Sequence, residues 1–195
     1  MIWGSKLVSA FVLFLLLGGC ALAPEGEVAP DEAAASAVEA EIRLQEAFSQ
    51  AVVLMENGDV DEARVRFEKL AAEHPDRSGP IANLGLLAMQ AGDMELAQLR
   101  FEQVLVLDQS HLVALNNLGV IARHSGEFTL ADARYREALA VDPDYLPAVL
   151  NLAFLLDIYL GKPEQALPLY EQYKELAEEP DPRLKDWIFD AKNRI

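Results

Sequence analysis

A spacing of 34 residues, kept by several residue types at once, constrains this chain more than any other feature. Gly58, Gly92 and Gly126 are 34 apart, and so are Asn83, Asn117 and Asn151. Ala63, Ala97 and Ala131 keep the interval, as do Phe67, Phe101 and Tyr135; Ala166 and Tyr170 continue it after one inserted residue. Self-similarity at such a period means one supersecondary unit used repeatedly, each copy burying its apolar face only against its neighbours. The registers place units at 44–77, 78–111, 112–145 and 146–180.

Each unit reads as two antiparallel helices, and no strand-like alternation occurs along the chain. The first helix carries Asn-Leu-Gly (83–85, 117–119) or Asn-Leu-Ala (151–153), and Gly-Asp or Gly-Glu makes the turn. Glycine there ends a helix by taking a positive φ cheaply, and Asp59, Asp93 or Glu127 then stands near the positive end of the next helix. The alanine five residues on permits close approach, and the aromatic four further on fills the space between packed pairs. His74-Pro75 and Asp142-Pro143 close their units because proline cannot continue a helix. Ahead of the repeats, Asp31 can cap a helix that runs through Ala33–Glu46 toward Asn57.

With Leu84-Gly85, Gly92-Asp93, Ala97 and Phe101 in one unit, and Leu118-Gly119, Gly126, Ala131, Tyr135, Ala138 and Pro143 in the next, the sequence closely resembles the tetratricopeptide repeat family. The resemblance covers residues 44–180 and implies an all-α, right-handed α-solenoid of about four helix-turn-helix units within a domain at 31–180. Three places depart from the pattern. Gln109 replaces the usual closing proline, Gln50-Ala51 replaces Leu-Gly, and an extra residue falls around Leu160-Gly161-Lys162-Pro163. After Asp181-Pro182, the residues Leu184, Trp187, Ile188, Ala191 and Ile195 recur at helical spacing, so 181–195 is expected to cap the open end.

The resemblance further implies that the first helix of each unit lines a concave groove. That places Asn83, Asn117 and Asn151 in register, with Asn116 beside them. Two readings follow: a ladder of amides that binds the main chain of an extended peptide, or side chains that bond to neighbouring helices. Val52, Leu86, Val120 and Phe154 would supply apolar contact to a ligand, and Arg123, His124 and Asp157 polarity. The chaperone-binding subgroup holds a terminal carboxylate with inner-helix Lys and Arg. Here those slots hold Gly79, Val113, Asn83 and Asn117, so such a clamp is not expected.

The first twenty residues belong to a different regime. Met1–Lys6 carries one positive charge, Leu7–Leu17 is almost unbroken apolar sequence, and Gly18-Gly19-Cys20 follows. The apolar run is shorter than the ~20 residues a membrane-spanning helix requires, so 1–19 reads as a cleaved export signal. Leu17-Gly18-Gly19-Cys20 resembles the bacterial lipobox, which implies lipidation of Cys20 as the mature N-terminus. A lone cysteine in an exported chain fits this, since it can form no internal disulfide. Residues 20–30, with Pro24, Gly26 and Pro30, then form a flexible tether. In Gram-negative lipoproteins an aspartate after the cysteine retains the protein at the inner membrane. Ala21 stands there instead, which implies the outer membrane with the domain facing the periplasm.

Composition narrows the function. Sixteen Lys and Arg against thirty-two Asp and Glu give a net charge of -16, which repels phosphate backbones, so nucleic acid is not an expected partner. His74, His111 and His124 occupy different repeat positions without ligand spacing, and no serine or Thr129 lies in a nucleophile elbow or phosphate loop. No metal, cofactor or catalytic set is expected. The reading is a non-enzymatic, lipid-anchored adaptor that binds an envelope protein or peptide segment and supports assembly or localisation of a larger complex. Alternatives are a pilotin-like factor for a pilus or secretion secretin, an accessory subunit of an energised envelope transport system, and a self-associating scaffold. The sequence leaves the oligomeric state open.

Overall fold

The computed structural model describes residues 32–195, with side-chain surroundings from Ala34 onward. The signal segment 1–19, Cys20, the tether 20–30 and the capping Asp31 lie outside the described residues. Two compact units divide the chain at Ala40 and Glu41. The described part of the first is the opening of helix α1 (Glu32–Glu56), whose side chains from Ala34 to Ala40 are all exposed. The second is an array of helices running from Glu41 to Ile195.

After α1 come α2 (Val60–Glu73), α3 (Ser78–Gln90), α4 (Met94–Leu107), α5 (Leu112–His124), α6 (Phe128–Val141), α7 (Leu146–Phe154), α8 (Pro163–Leu176) and α9 (Leu184–Arg194). No strand occurs among the described residues. From α2 onward each helix packs on its successor, which is the layout of a helical-repeat solenoid. None of the described helices is long and apolar enough to cross a membrane.

The 34-residue period comes from turn chemistry repeated in each unit. Gly58, Gly92 and Gly126 have φ of 87°, 80° and 79°, the left-handed region where a β-carbon is penalised. In each turn the N–H that follows the glycine reaches back to a carbonyl of the previous helix: Asp59 to Leu54 at 2.9 Å, Asp93 to Ala88 at 2.9 Å, Glu127 to Ala122 at 2.8 Å. This closes the helix end and reverses the chain within a few residues. Of the three acidic residues that follow, only Asp93 also caps the next helix, accepting from Leu96 N–H at 3.0 Å.

The core repeats with the turns. Ala63 and Phe67, Ala97 and Phe101, Ala131 and Tyr135, and Ala166 and Tyr170 are each 0% exposed. Gly85 and Gly119 lie directly against the aromatic of their own unit. A β-carbon on Gly85 would stand 2.8 Å from the Phe101 ring, and one on Gly119 would stand 2.5 Å from Tyr135. The equivalent positions in the outer units hold Ala51 and Ala153, both 0% exposed.

The inserted residue of the fourth unit sits inside a helix. The sequence places it around Leu160–Pro163, but the structure absorbs it one turn earlier, where α7 widens into a π turn over Leu155–Tyr159. Leu160 N–H there donates to Leu155 at 3.0 Å, five residues back. The turn-closing bond still ends on the register-matched carbonyl, Leu156, but its donor is Lys162, six residues on instead of five. Gly161, with φ of 61°, then makes the turn.

Candidate protein-binding face

The asparagines expected to form one ladder do two different jobs. Asn83 Nδ2 donates to the Gly79 carbonyl at 3.0 Å, and Asn117 Nδ2 donates to the Val113 carbonyl at 2.7 Å. Both amides are half-buried and bond one turn back on their own helix through the amide nitrogen. Asn151 instead donates to Asn116 Oδ1 at 2.9 Å, joining α7 to α5. Asn116 is buried, 6% exposed, because it receives that bond between helices, so it does not line an open surface as expected.

Val52, Leu86 and Val120 are half-buried, each packed at the edge of its unit's core cluster. Phe154, expected beside them as ligand-facing surface, is half-buried like the other three and differs in having ring neighbours from the end of the chain. Trp187 of α9 meets its ring edge-to-face at 4.5 Å between centroids, and Tyr170 meets it at 5.8 Å. The final helix therefore shares the Phe154 ring and leaves part of it exposed.

Arg123 and Asp157 belong to a second 34-residue series that the sequence reading passed over: Met55, Met89, Arg123, Asp157. Each stands one helix away from the buried aromatic of its unit. Met55 borders the cluster of Phe67, and Met89 that of Phe101. In the third and fourth units the apolar partner becomes charged, and the aromatic gains a hydroxyl. Tyr170 donates to Asp157 Oδ2 at 3.2 Å, and Arg194 of α9 forms an ion pair with the other carboxylate oxygen. Asp157 is 2% exposed, so it is a buried tie between the last repeat and α9, and its expected place on a binding surface is corrected. Burial, then the Asp157 charge, pushes the Tyr170 phenol pKa up, so it acts as a neutral donor.

Arg123 is different, because it keeps contact with solvent. Its Nη1 donates to the Tyr159 hydroxyl at 3.0 Å, and its guanidinium carbon lies 5.4 Å from the centroid of the Tyr159 ring. Its Nε and the Tyr135 hydroxyl are both buried; neither makes a well-formed hydrogen bond, and the weaker one open to them is the bond between Arg123 and Tyr135 themselves. Burial raises the Tyr135 pKa, with Arg123 opposing the shift, so that hydroxyl also stays protonated at neutral pH. His124 beside it is exposed. Tyr159 was missed from sequence because its place depends on the π turn; the Phe-to-Tyr change at 135 was the available signal.

Two tetratricopeptide repeat family models match the chain, one over residues 54–118 and one over 114–147. The chain carries tetratricopeptide repeats. No curated protein matches it over its sequence. Among solved structures, MamA superposes with a TM-score of 0.62 at 21% identity, covering 77% of this chain and 81% of that one. PilF of Pseudomonas aeruginosa gives 0.69 at 19% identity, covering 79% and 69%. An O-GlcNAc transferase of Thermobaculum terrenum gives 0.62 at 25% identity, covering 68% of this chain and only 26% of that one. These likenesses are likenesses of fold. Tetratricopeptide repeats are in general non-catalytic scaffolds for protein–protein interaction, and the face built by α3, α5 and α7 suits that role. It carries half-buried amides at Asn83 and Asn117, apolar edges at Leu86 and Val120, and the partly exposed Arg123.

Proposed function

We propose that this chain is a membrane-anchored adaptor in which the first helices of the tetratricopeptide repeats hold a segment of another cell-envelope protein and so support assembly or localisation of a larger complex. The observation that carries the reading is the half-buried strip Asn83, Leu86, Asn117 and Val120, repeated at the array's own period on α3 and α5. A segment in extended form gains main-chain hydrogen bonds from the amide oxygens and apolar contact from the residues between them. The strip is short and shallow, which suits a segment of a larger protein better than a small molecule. Lipidation of Cys20 supplies the anchor, since several acyl chains at ~0.8 kcal/mol per buried methylene hold a protein firmly at a bilayer. Ala21 in place of aspartate supports the outer membrane, facing the periplasm.

The test compares the native chain with Asn83→Ala/Asn117→Ala/Val120→Glu in crosslinked capture from membranes, read by mass spectrometry. The variant is expected to keep its far-UV circular dichroism and lose the specifically captured protein at least about tenfold, the effect of ~1.4 kcal/mol. Equal capture by the folded variant removes the binding strip from consideration. Cys20→Ser is expected to release the chain from the membrane fraction, and normal fractionation of that variant would refute the anchor.

A further inference from the structure

Charge is distributed along this chain in one direction. Residues 21–62 contain eleven acidic residues and one basic, whereas residues 183–195 contain four basic residues and two acidic. The helix that opens the array, α1, is therefore acidic, and the helix that closes it, α9, is basic, within a chain whose net charge is -16. Such an asymmetry bears on association, because opposite potentials steer surfaces together and like ones hold them apart.

Both helices carry charge on the face turned away from their own core, and both interrupt it with apolar side chains. On α9, Leu184 and Ala191 are buried, with Trp187 and Ile188 half-buried beside them. The opposite stripe is Lys185, Phe189 and Lys192, at i, i+4 and i+7, and Phe189 is 69% exposed. Lys192 also pairs with Glu171 of α8 at 2.9 Å, at the surface. On α1, Leu44, Ala47, Phe48, Ala51 and Met55 belong to the cluster around Phe67. The opposite stripe is Ile42, Glu46, Ser49, Val53 and Glu56, all exposed. The closing helix thus presents an aromatic side chain between two lysines, and the opening helix an aliphatic one between two glutamates. Repeat arrays need polar outer faces at their ends to stay apart in solution, and neither end has one here.

We propose that the closing helix of one copy docks on the opening helix of a second copy of this chain, with Phe189 packed against Ile42 and Val53, and Lys185 and Lys192 paired with Glu46 and Glu56. The contact is heterologous: each copy gives one end and receives at the other, so a bound pair keeps a free end of each kind and can extend. A symmetric contact between two α9 helices would set lysine against lysine, and one between two α1 helices glutamate against glutamate, so the charges select the head-to-tail arrangement. At physiological salt, fields are screened beyond about 8 Å, so repulsion between whole copies fades while ion pairs in contact persist. Neither terminal helix carries the strip on α3 and α5, so stacked copies offer several strips at once to a multivalent partner.

The test is sedimentation equilibrium of the full chain in density-matched detergent micelles at about 0.15 M salt, with micelles in excess over protein. The native chain is expected to self-associate with a Kd below about 0.1 mM. Lys185→Glu/Lys192→Glu and Glu46→Lys/Glu56→Lys are each expected to keep their circular dichroism and to weaken self-association at least about tenfold. Mixing the two variants is expected to restore it, because every end then meets one of opposite charge. Phe189→Ser is expected to weaken it about tenfold through the lost apolar contact. If Lys192→Glu disturbs α9 through Glu171, Lys185→Glu alone carries the test, with an expected loss of about fivefold. A native chain that stays monomeric overturns the proposal, as does unimpaired assembly of either folded charge variant or failure of their mixture to assemble. Assembly that disappears as more micelles are added marks chains that merely share a micelle and overturns it too.

Discussion

At the scale of single residues, the two kinds of glycine in the array separate cleanly. Gly92 has φ of +80° and nothing within 4 Å of a built β-carbon, so alanine there strains the backbone without a clash. Gly119 is helical, with Tyr135 ring atoms 2.5 Å and 2.7 Å from the built β-carbon, so alanine there collides with a buried ring. Gly119→Ala is expected to cost about 1–3 kcal/mol in urea unfolding, as overpacked cores do. Gly92→Ala is expected to cost about 1 kcal/mol or somewhat more. A smaller residue at 135, as in Tyr135→Leu, should recover part of the first loss and none of the second. If Gly119→Ala is neutral, the ring is not fixed by that contact. These positions were legible in the sequence because each demands one residue type: a positive φ selects glycine, and close approach to a ring selects glycine or alanine. The fate of the asparagines was not legible in the same way. Asn83, Asn117 and Asn151 share a register, yet only Asn151 faces an asparagine on the preceding first helix, Asn116, and that neighbour decides which bond forms.

At the scale of elements, α9 does more than close the apolar end. Leu184 and Ala191 are buried, Trp187 covers Phe154, and Arg194 reaches the carboxylate of Asp157. Removing one partner of a fully buried pair costs about 3–5 kcal/mol. Arg194 keeps 37% of its side-chain surface in solvent, so Arg194→Ala is expected to cost about 1–3 kcal/mol. The loss should concentrate in α9: faster amide hydrogen exchange across 184–194 and a red-shifted Trp187 emission. Unchanged exchange there would mean that the apolar contacts alone hold the helix. The amphipathic spacing of 184–195 announced a cap. It could not announce that the cap packs on Phe154 and takes Asp157 out of reach, because that depends on where the helix lands. The turn before α9 also responds to acid. Hydrogen bonds from the Arg183 side chain and then its backbone N–H hold the Asp181 pKa at about 2. A carboxylate depressed in the folded state contributes fully above its ordinary pKa of about 3.9, and that contribution is lost as the pH falls through the folded value.

For the whole molecule, charge and connectivity set the behaviour. Among the described residues, many ion pairs join residues three or four apart on one helix, such as Arg66 with Glu62 and Arg136 with Asp132, and those tie no two elements together. Self-repulsion from the -16 charge is then the larger electrostatic effect on the folded state. Raising sodium chloride from about 10 mM to about 0.1 M shortens the screening length from about 30 Å to about 10 Å and is expected to raise the melting temperature. A fall would mean that the ion pairs outweigh the repulsion. The π turn also bears on how such an array can change over generations. Genes for repeats lengthen and shorten by unequal crossing-over between copies, which is harmless when every copy has the same phase. Here copies ahead of Leu155 are interchangeable in length, while any exchange that carries Leu155–Tyr159 upstream imports a one-residue slip and a charged Asp157 that needs Arg194 beside it. The far end of the array is therefore the part least tolerant of unit exchange, because its π turn and the Asp157–Arg194 pair have to travel together.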